Sequence, residues 1–168
     1  MLDLNRLVGF VFCATSHSIF SKMRKAILRI TPKLDNDDMA VVNGECYQSS
    51  GPITGAVANC INISDQQDFI DSIRLTVKSI GEARMNCPKL VFVISDSFNS
   101  EVEWVLKKFD RIHRTLNYEI TLHVLQVNPT AVCNDSSVLR TIVDDEEALF
   151  VEIARILKEA NIGSSNQD

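Results

Sequence analysis

The sequence predicts an α/β fold, a three-layer Rossmann-like sandwich with a mostly parallel central sheet and one antiparallel edge strand. Two apolar runs, residues 7–14 and 90–94, are short, continuous and rich in Val and Phe, which is typical of strands covered on both faces. Segments with apolar residues at helical spacing separate and follow these runs. Strands that alternate with helices indicate parallel pairing, with helices on both faces of the sheet.

The first half of the chain predicts one helix and a hairpin between the two apolar strands. Residues 19–30 place apolar side chains at helical spacing, and Pro32 ends that helix. Residues 39–47 and 53–63 are predicted to be two strands joined by a turn at 49–52. This hairpin would supply the antiparallel edge of the sheet.

The second half predicts three helices and a third central strand. Ser64 is expected to cap a helix over residues 65–82, which carries an apolar stripe. A second helix is predicted over residues 99–116 and a last one over residues 145–160, on either side of a strand at 118–127. This order continues the alternation that a parallel sheet requires.

The length indicates one domain. The chain has 168 residues and a mass of 18.8 kDa, and 45% of its residues are hydrophobic, enough for a sizeable core. We therefore expect a single domain over residues 1–162. The small and polar residues 163–168 are expected to form a disordered tail.

The charge and hydropathy exclude two classes of partner. A net charge of −5 and an isoelectric point near 5.2 argue against a surface that neutralises many phosphates, so nucleic acid is an unlikely partner. The mean hydropathy is +0.03, and every apolar run is shorter than the ~18 residues that a membrane-spanning helix needs. No membrane partner is expected.

The cysteines predict a reducing compartment. The five cysteines are an odd number and form no Cys-x-x-Cys pair, so the sequence indicates neither a disulfide framework nor a zinc site. The first residues also lack the pattern of a signal peptide. An intracellular location, cytoplasmic or nuclear, is the prediction.

Polar side chains follow the two apolar strands where each one ends. Ser16, His17 and Ser18 follow the first strand, and Asp96 follows the second. Ligand crevices in open α/β sheets lie at the carboxyl ends of the strands, so Ser16, Ser18 and Asp96 are the candidate ligand-binding rim. Local geometry is the favoured explanation of the same residues, with Ser16 or Ser18 capping the following helix and Asp96 fixing a turn.

These motifs and their order resemble a von Willebrand factor A-type domain. In that family the first strand ends in Asp-x-Ser-x-Ser, which helps to hold a magnesium ion, and the middle strand ends in an Asp; here the two motifs read Ala14-Thr15-Ser16-His17-Ser18 and Ser95-Asp96-Ser97. Ala14 lacks the carboxylate that a hard cation favours. A loop between two helices, which supplies a Thr in the family, also looks shortened or lost here.

The resemblance implies a degenerate and metal-free adhesion-type site with no cofactor. It implies a non-enzymatic protein-interaction module, acting as a scaffold subunit of an intracellular multiprotein complex with protein partners. Two alternatives stay open: a hydrolase-like enzyme that uses Ser16, His17 and Asp96, and a cation-dependent adhesion domain. The sequence has no Gly-x-Ser-x-Gly motif, which counts against the hydrolase.

Overall fold

The computed structural model describes residues 6–35, 38–63, 65–83, 87–116, 120–128 and 140–165. Within these residues six strands form one sheet in the order β3-β2-β1-β4-β5-β6. The strands are β1 (Leu7–Phe12), β2 (Met39–Val42), β3 (Glu45–Gln48), β4 (Lys89–Ser95), β5 (Ile120–Val127) and β6 (Thr141–Val143). Only the edge pair β2–β3 is antiparallel in this sheet. The predicted fold class is therefore confirmed.

Helices cover both faces of the sheet. They are α1 (His17–Ile30), α2 (Ser50–Asn59), α3 (Gln66–Glu82), α4 (Ser100–Leu116) and α5 (Glu146–Ser165), and a short 3-10 helix (Thr31–Lys33) follows α1. Buried residues of α1, α2 and α5 share one core cluster, and buried residues of α3 and α4 share the other. The fold thus has three layers, with the sheet in the middle.

The first strand shows why these short apolar runs form the centre of the sheet. All six residues of β1 are buried, with Phe10 on the α1 side and Val11 on the α3 side. The Phe10 ring stacks on the Phe92 ring of β4 at 5.6 Å between centroids. Gly9 allows α3 to approach closely, because a Cβ built there would lie 2.6 Å from side-chain carbons of Ile80 and Thr76.

The predicted hairpin was wrong in both strands and in its turn: residues 39–47, predicted as one strand, contain β2, the turn and most of β3. The turn lies at Asn43 and Gly44, whose φ angles of 47° and 94° suit a two-residue turn between antiparallel strands. The segment 53–63, predicted as a strand, instead forms most of α2 and the loop after it. Two helices, α2 and α3, therefore lie between β3 and β4, and the loop between them, which looked shortened or lost, is present.

The remaining boundaries differ by a few residues. Asp65 caps α3, since its side chain accepts a hydrogen bond from the backbone N–H of Gln67 at 2.7 Å; the predicted cap, Ser64, lies outside the described residues. The strand β6 was not predicted. Helix α5 continues to Ser165, into the segment for which a disordered tail was predicted, and residues 166–168 are not described.

Candidate functional site

The candidate site lies where β1 and β4 end side by side. These two strands are parallel neighbours, so the residues that follow them meet at the same edge of the sheet. A cleft of about 380 Å³ opens there. Its walls come from residues 13–17, from the loop between α2 and α3, from Gln66 at the start of α3, and from Ser95 and Ser97.

Asp96 is buried beside this cleft, and each of its carboxylate oxygens is hydrogen-bonded to Thr15. Only 3% of Asp96 is exposed, and its carboxylate accepts hydrogen bonds from the backbone N–H of Thr15, at 3.0 Å, and from the Thr15 hydroxyl. Its backbone carbonyl accepts a further hydrogen bond from the Gln126 amide of β5 at 3.1 Å. Asp96 therefore ties together the ends of β1, β4 and β5.

The two serines of the predicted rim lie on the first turn of α1. Ser16 is exposed, and its hydroxyl accepts a hydrogen bond from the backbone N–H of Ile19 at 3.2 Å, which makes it the cap of α1. Ser18 is exposed on the same turn but does not line the cleft. The structure thus brings Ser16 and Asp96 to one edge of the sheet. There Ser16 is bonded to Ile19 of its own helix, and Asp96 is bonded to Thr15.

Asn62 is a site residue that the sequence analysis missed. It lies in the loop between α2 and α3, and its side chain bonds Ala14 twice, accepting from the backbone N–H at 2.9 Å and donating to the carbonyl at 2.8 Å. This pair of bonds fastens the loop to the end of β1. The sequence analysis did not identify it because residues 53–63 were predicted to be a strand. No pattern around Asn62 indicated a contact with the end of β1.

The oxygen atoms at this edge fit a divalent cation poorly. Such a cation needs several oxygen ligands and favours carboxylates. Ala14 provides none, the Asp96 carboxylate already accepts two bonds from Thr15, and the Ser16 hydroxyl accepts one from Ile19. Among the described residues, no group of three or more His, Cys, Asp or Glu side chains could hold a metal ion.

Among the described residues, the groups considered for nucleophilic catalysis at this edge do not form hydrogen bonds with one another. Within the described residues, no hydrogen bond joins His17 to Ser16, Ser18 or Asp96, and His17 is exposed. Burial raises the pKa of the Cys13 thiol to about 11, although its contact with the Ser95 hydroxyl acts in the opposite direction. The thiol therefore stays protonated near neutral pH, and a protonated thiol is a poor nucleophile.

Sequence comparison yields no relative: no protein-family model matches the chain, and no curated protein matches it. None of the described helices is both long and apolar enough to cross a membrane.

Two solved structures of proximal thread matrix protein 1 from the mussel byssus are similar in fold. One, with a zinc-occupied MIDAS motif, has a TM-score of 0.55 and 16% identity over 96% of this chain and 46% of that chain. The other has a TM-score of 0.58 and 14% identity over 95% of this chain and 47% of that one. The chain thus spans about half the length of these proteins. With its sheet order and its two helical layers, it has the von Willebrand factor A-type fold.

Proposed function

We propose that this chain is a non-enzymatic protein-interaction module, a scaffold subunit of an intracellular complex, with a degenerate and metal-free adhesion-type site. One observation carries the proposal: the buried Asp96 carboxylate is held by Thr15 at the place where the fold otherwise offers acidic ligands to a cation. With these two hydrogen bonds, the Asp96 carboxylate has a structural role: it links the ends of β1 and β4. Recognition then depends on the surface of the domain and on no bridging ion.

The state of the cysteines supports the intracellular part of the proposal. Cys13, Cys46, Cys60 and Cys87 are all free thiols in the part of the chain that is described. Disulfides are typical of secreted domains and are rare in reducing compartments. Four free thiols in one small domain therefore favour a reducing location.

The metal-free site is tested by isothermal titration with Mg²⁺, Mn²⁺ and Zn²⁺, together with thermal melting in the presence and absence of each ion. An ion that binds the folded state raises the melting temperature, so both readouts report binding. We expect no heat of binding and an unchanged melting temperature. Heat and stabilisation that disappear in Asp96→Ala, but persist in Asp71→Ala, a matched substitution of an exposed carboxylate on α3, would contradict the metal-free site.

The interaction role is tested with the tagged chain, by capturing partners in parallel in EDTA and in Mg²⁺ and rebuilding each complex from purified proteins. We expect the same stoichiometric complex in both buffers. Failure to rebuild any complex would contradict the proposal of an interaction module. The non-enzymatic role is tested with a serine-directed fluorophosphonate probe. Labelling that is lost in Ser16→Ala would contradict that role.

A cation-dependent adhesion domain is the second candidate. The similarity in fold to a protein with a zinc-occupied MIDAS motif favours it. In that case the complex would form in Mg²⁺ or Zn²⁺ and dissociate in EDTA, which the same capture experiment measures.

A further inference from the structure

A groove between α3 and α4, away from the candidate site, has the features of a docking surface. We call it the α3–α4 groove; its cavity has a volume of about 440 Å³. Ile70 of α3 and Val105 of α4 line it and are almost completely buried, while Arg74 and Trp104 line it from the two helices. The groove therefore combines an apolar base with a charged and an aromatic wall.

Trp104 is an unusual side chain to leave in solvent. It is 57% exposed, and it is one of the few large apolar side chains exposed among the described residues. The Lys108 ammonium lies 4.5 Å from the centre of its ring, which is a cation–π contact. Trp and Arg are the residues most often found at the energetic centres of protein interfaces. Trp104 next to Arg74 thus marks a candidate anchor point.

The charges around the groove indicate what would bind there. Arg74 and Lys78 are exposed one helical turn apart on α3, and Lys108 is exposed one turn after Trp104 on α4. None of these three cations forms an ion pair with an acidic residue of the described chain. The whole protein carries a net charge of −5, so this surface is locally basic in a protein that is acidic overall.

Each of the two helices also carries an acidic side chain on the N-terminal side of its cations. Glu101 lines the groove at the start of α4, and Asp71 lies one turn before Arg74 on α3, where its carboxylate accepts a hydrogen bond from Gln67 at 3.0 Å. Complementary charge fixes the register of a bound segment. A segment with acidic residues on one side of an apolar side chain would fit this surface in one direction only.

We infer that the α3–α4 groove binds an acidic peptide segment of a partner protein. One apolar side chain of the segment fills the cavity beside Trp104. The carboxylates of the segment lie against Arg74, Lys78 and Lys108. This inference rests on the proposed function, because it names the surface and the chemical class of partner that an interaction module would use.

The test begins with a random-peptide display library, selected against the folded full chain. We expect selected peptides to combine one aromatic or aliphatic residue with two or more Asp or Glu residues. Each peptide is then synthesised and added to the chain in solution. Trp104 is the single tryptophan of the protein, so a peptide that shields it from water shifts its fluorescence emission to shorter wavelength.

Affinities of fluorescein-labelled peptides for surface variants then locate the binding site. Trp104→Ala, and separately the double variant Arg74→Glu with Lys78→Glu, should each weaken binding by about tenfold or more. Lys25→Glu is the matched control, because Lys25 is an exposed lysine of α1, on the opposite face of the sheet, and should leave the affinity unchanged. All of these side chains are at the surface, so melting temperatures verify that each variant is folded.

Three results would overturn the inference. They are selected peptides without an excess of acidic residues, peptides that bind the groove variants as tightly as the wild type, and an emission spectrum that does not change. Self-association that Trp104→Ala abolishes, measured by sedimentation, would assign the groove to a second copy of the chain instead. If a rebuilt partner complex is unaffected by the groove variants, only this inference fails; if no partner complex forms, the proposed function fails as well.

Discussion

Thr15 and Asp96 join the ends of β1 and β4 through two hydrogen bonds, although 81 residues separate them in the sequence. The backbone N–H and the hydroxyl of Thr15 both donate to the Asp96 carboxylate. The contact satisfies hydrogen-bond acceptors of an acidic side chain that is buried there. It also makes Thr15, which no motif identified, as important to the site as Asp96.

Thr15→Val should destabilise the protein by about 1–3 kcal/mol, since the buried Asp96 carboxylate loses the hydroxyl donor and the side chain keeps its size. Urea denaturation measures the free energy of unfolding. Ser18→Ala is the control on the neighbouring turn and should change that free energy by less than about 0.5 kcal/mol. Equal effects of the two substitutions would show that the Thr15 hydroxyl does not stabilise the carboxylate.

Gly9→Ala should destabilise the protein by about 1–3 kcal/mol, because the added methyl group overpacks the interface between β1 and α3. Gly55→Ala is the matched control in α2, where a Cβ meets no atom within 4 Å. Alanine is the better helix former, so this control should be neutral or stabilising by up to about 1 kcal/mol. Thermal melting of both variants checks the contrast, and a stable Gly9→Ala protein would mean that α3 is not held this closely.

Protonation of His123 should lower the free energy of unfolding as the pH falls below about 6.5. Burial, and then the Arg155 guanidinium, lower the pKa of His123, while Glu152 and Glu159 act in the opposite direction. The ring also stacks on Phe92 of β4 at 5.4 Å between centroids. His123 is therefore protonated at a lower pH in the folded state than in the unfolded chain. Its contribution to the free energy of unfolding is complete above the unfolded pKa and decreases as the pH falls towards the folded pKa.

The measurement is the free energy of unfolding between about pH 7.5 and about pH 5.5, above the range in which unperturbed carboxyl groups titrate. His123→Phe should reduce the slope in this range. His17→Gln replaces an exposed histidine and should leave the slope as it is in the wild type. A wild-type slope that His123→Phe does not reduce would assign the pH dependence to another group.

Cys13 should resist thiol reagents as long as the protein is folded. Burial raises the pKa of its thiol to about 11, so little thiolate exists at pH 8, and only 3% of the residue is exposed. Cys46 is exposed on β3 and should react before Cys13, even though partial burial raises the pKa of its thiol too. Alkylation followed by peptide mass spectrometry identifies the labelled residues. Rapid labelling of Cys13 without denaturant would contradict its placement in the core.

The sequence was sufficient for the elements whose pattern is local and strong. The strands β1 and β4 are continuous apolar runs, and α1, α3, α4 and α5 each carry an apolar stripe, so their type follows from periodicity alone. Helix α2 lacks such a stripe. Only Ile53 and Val57 of α2 are buried, and the Thr54 hydroxyl donates a hydrogen bond to Thr31 at 2.8 Å, so its helical state depends on packing against the rest of the fold.

The same division applies to the candidate site. The sequence predicted that Ser16 or Ser18 caps α1, and Ser16 makes that bond; the strand end before Asp96 predicted the edge of the sheet at which it lies. The partners of Asp96 and of Ala14 were beyond the sequence, because Thr15 is 81 residues from Asp96 and Asn62 is 48 from Ala14. Periodicity reports which face of an element is buried, whereas side-chain pairing across the chain is decided only when the strands and loops meet in three dimensions.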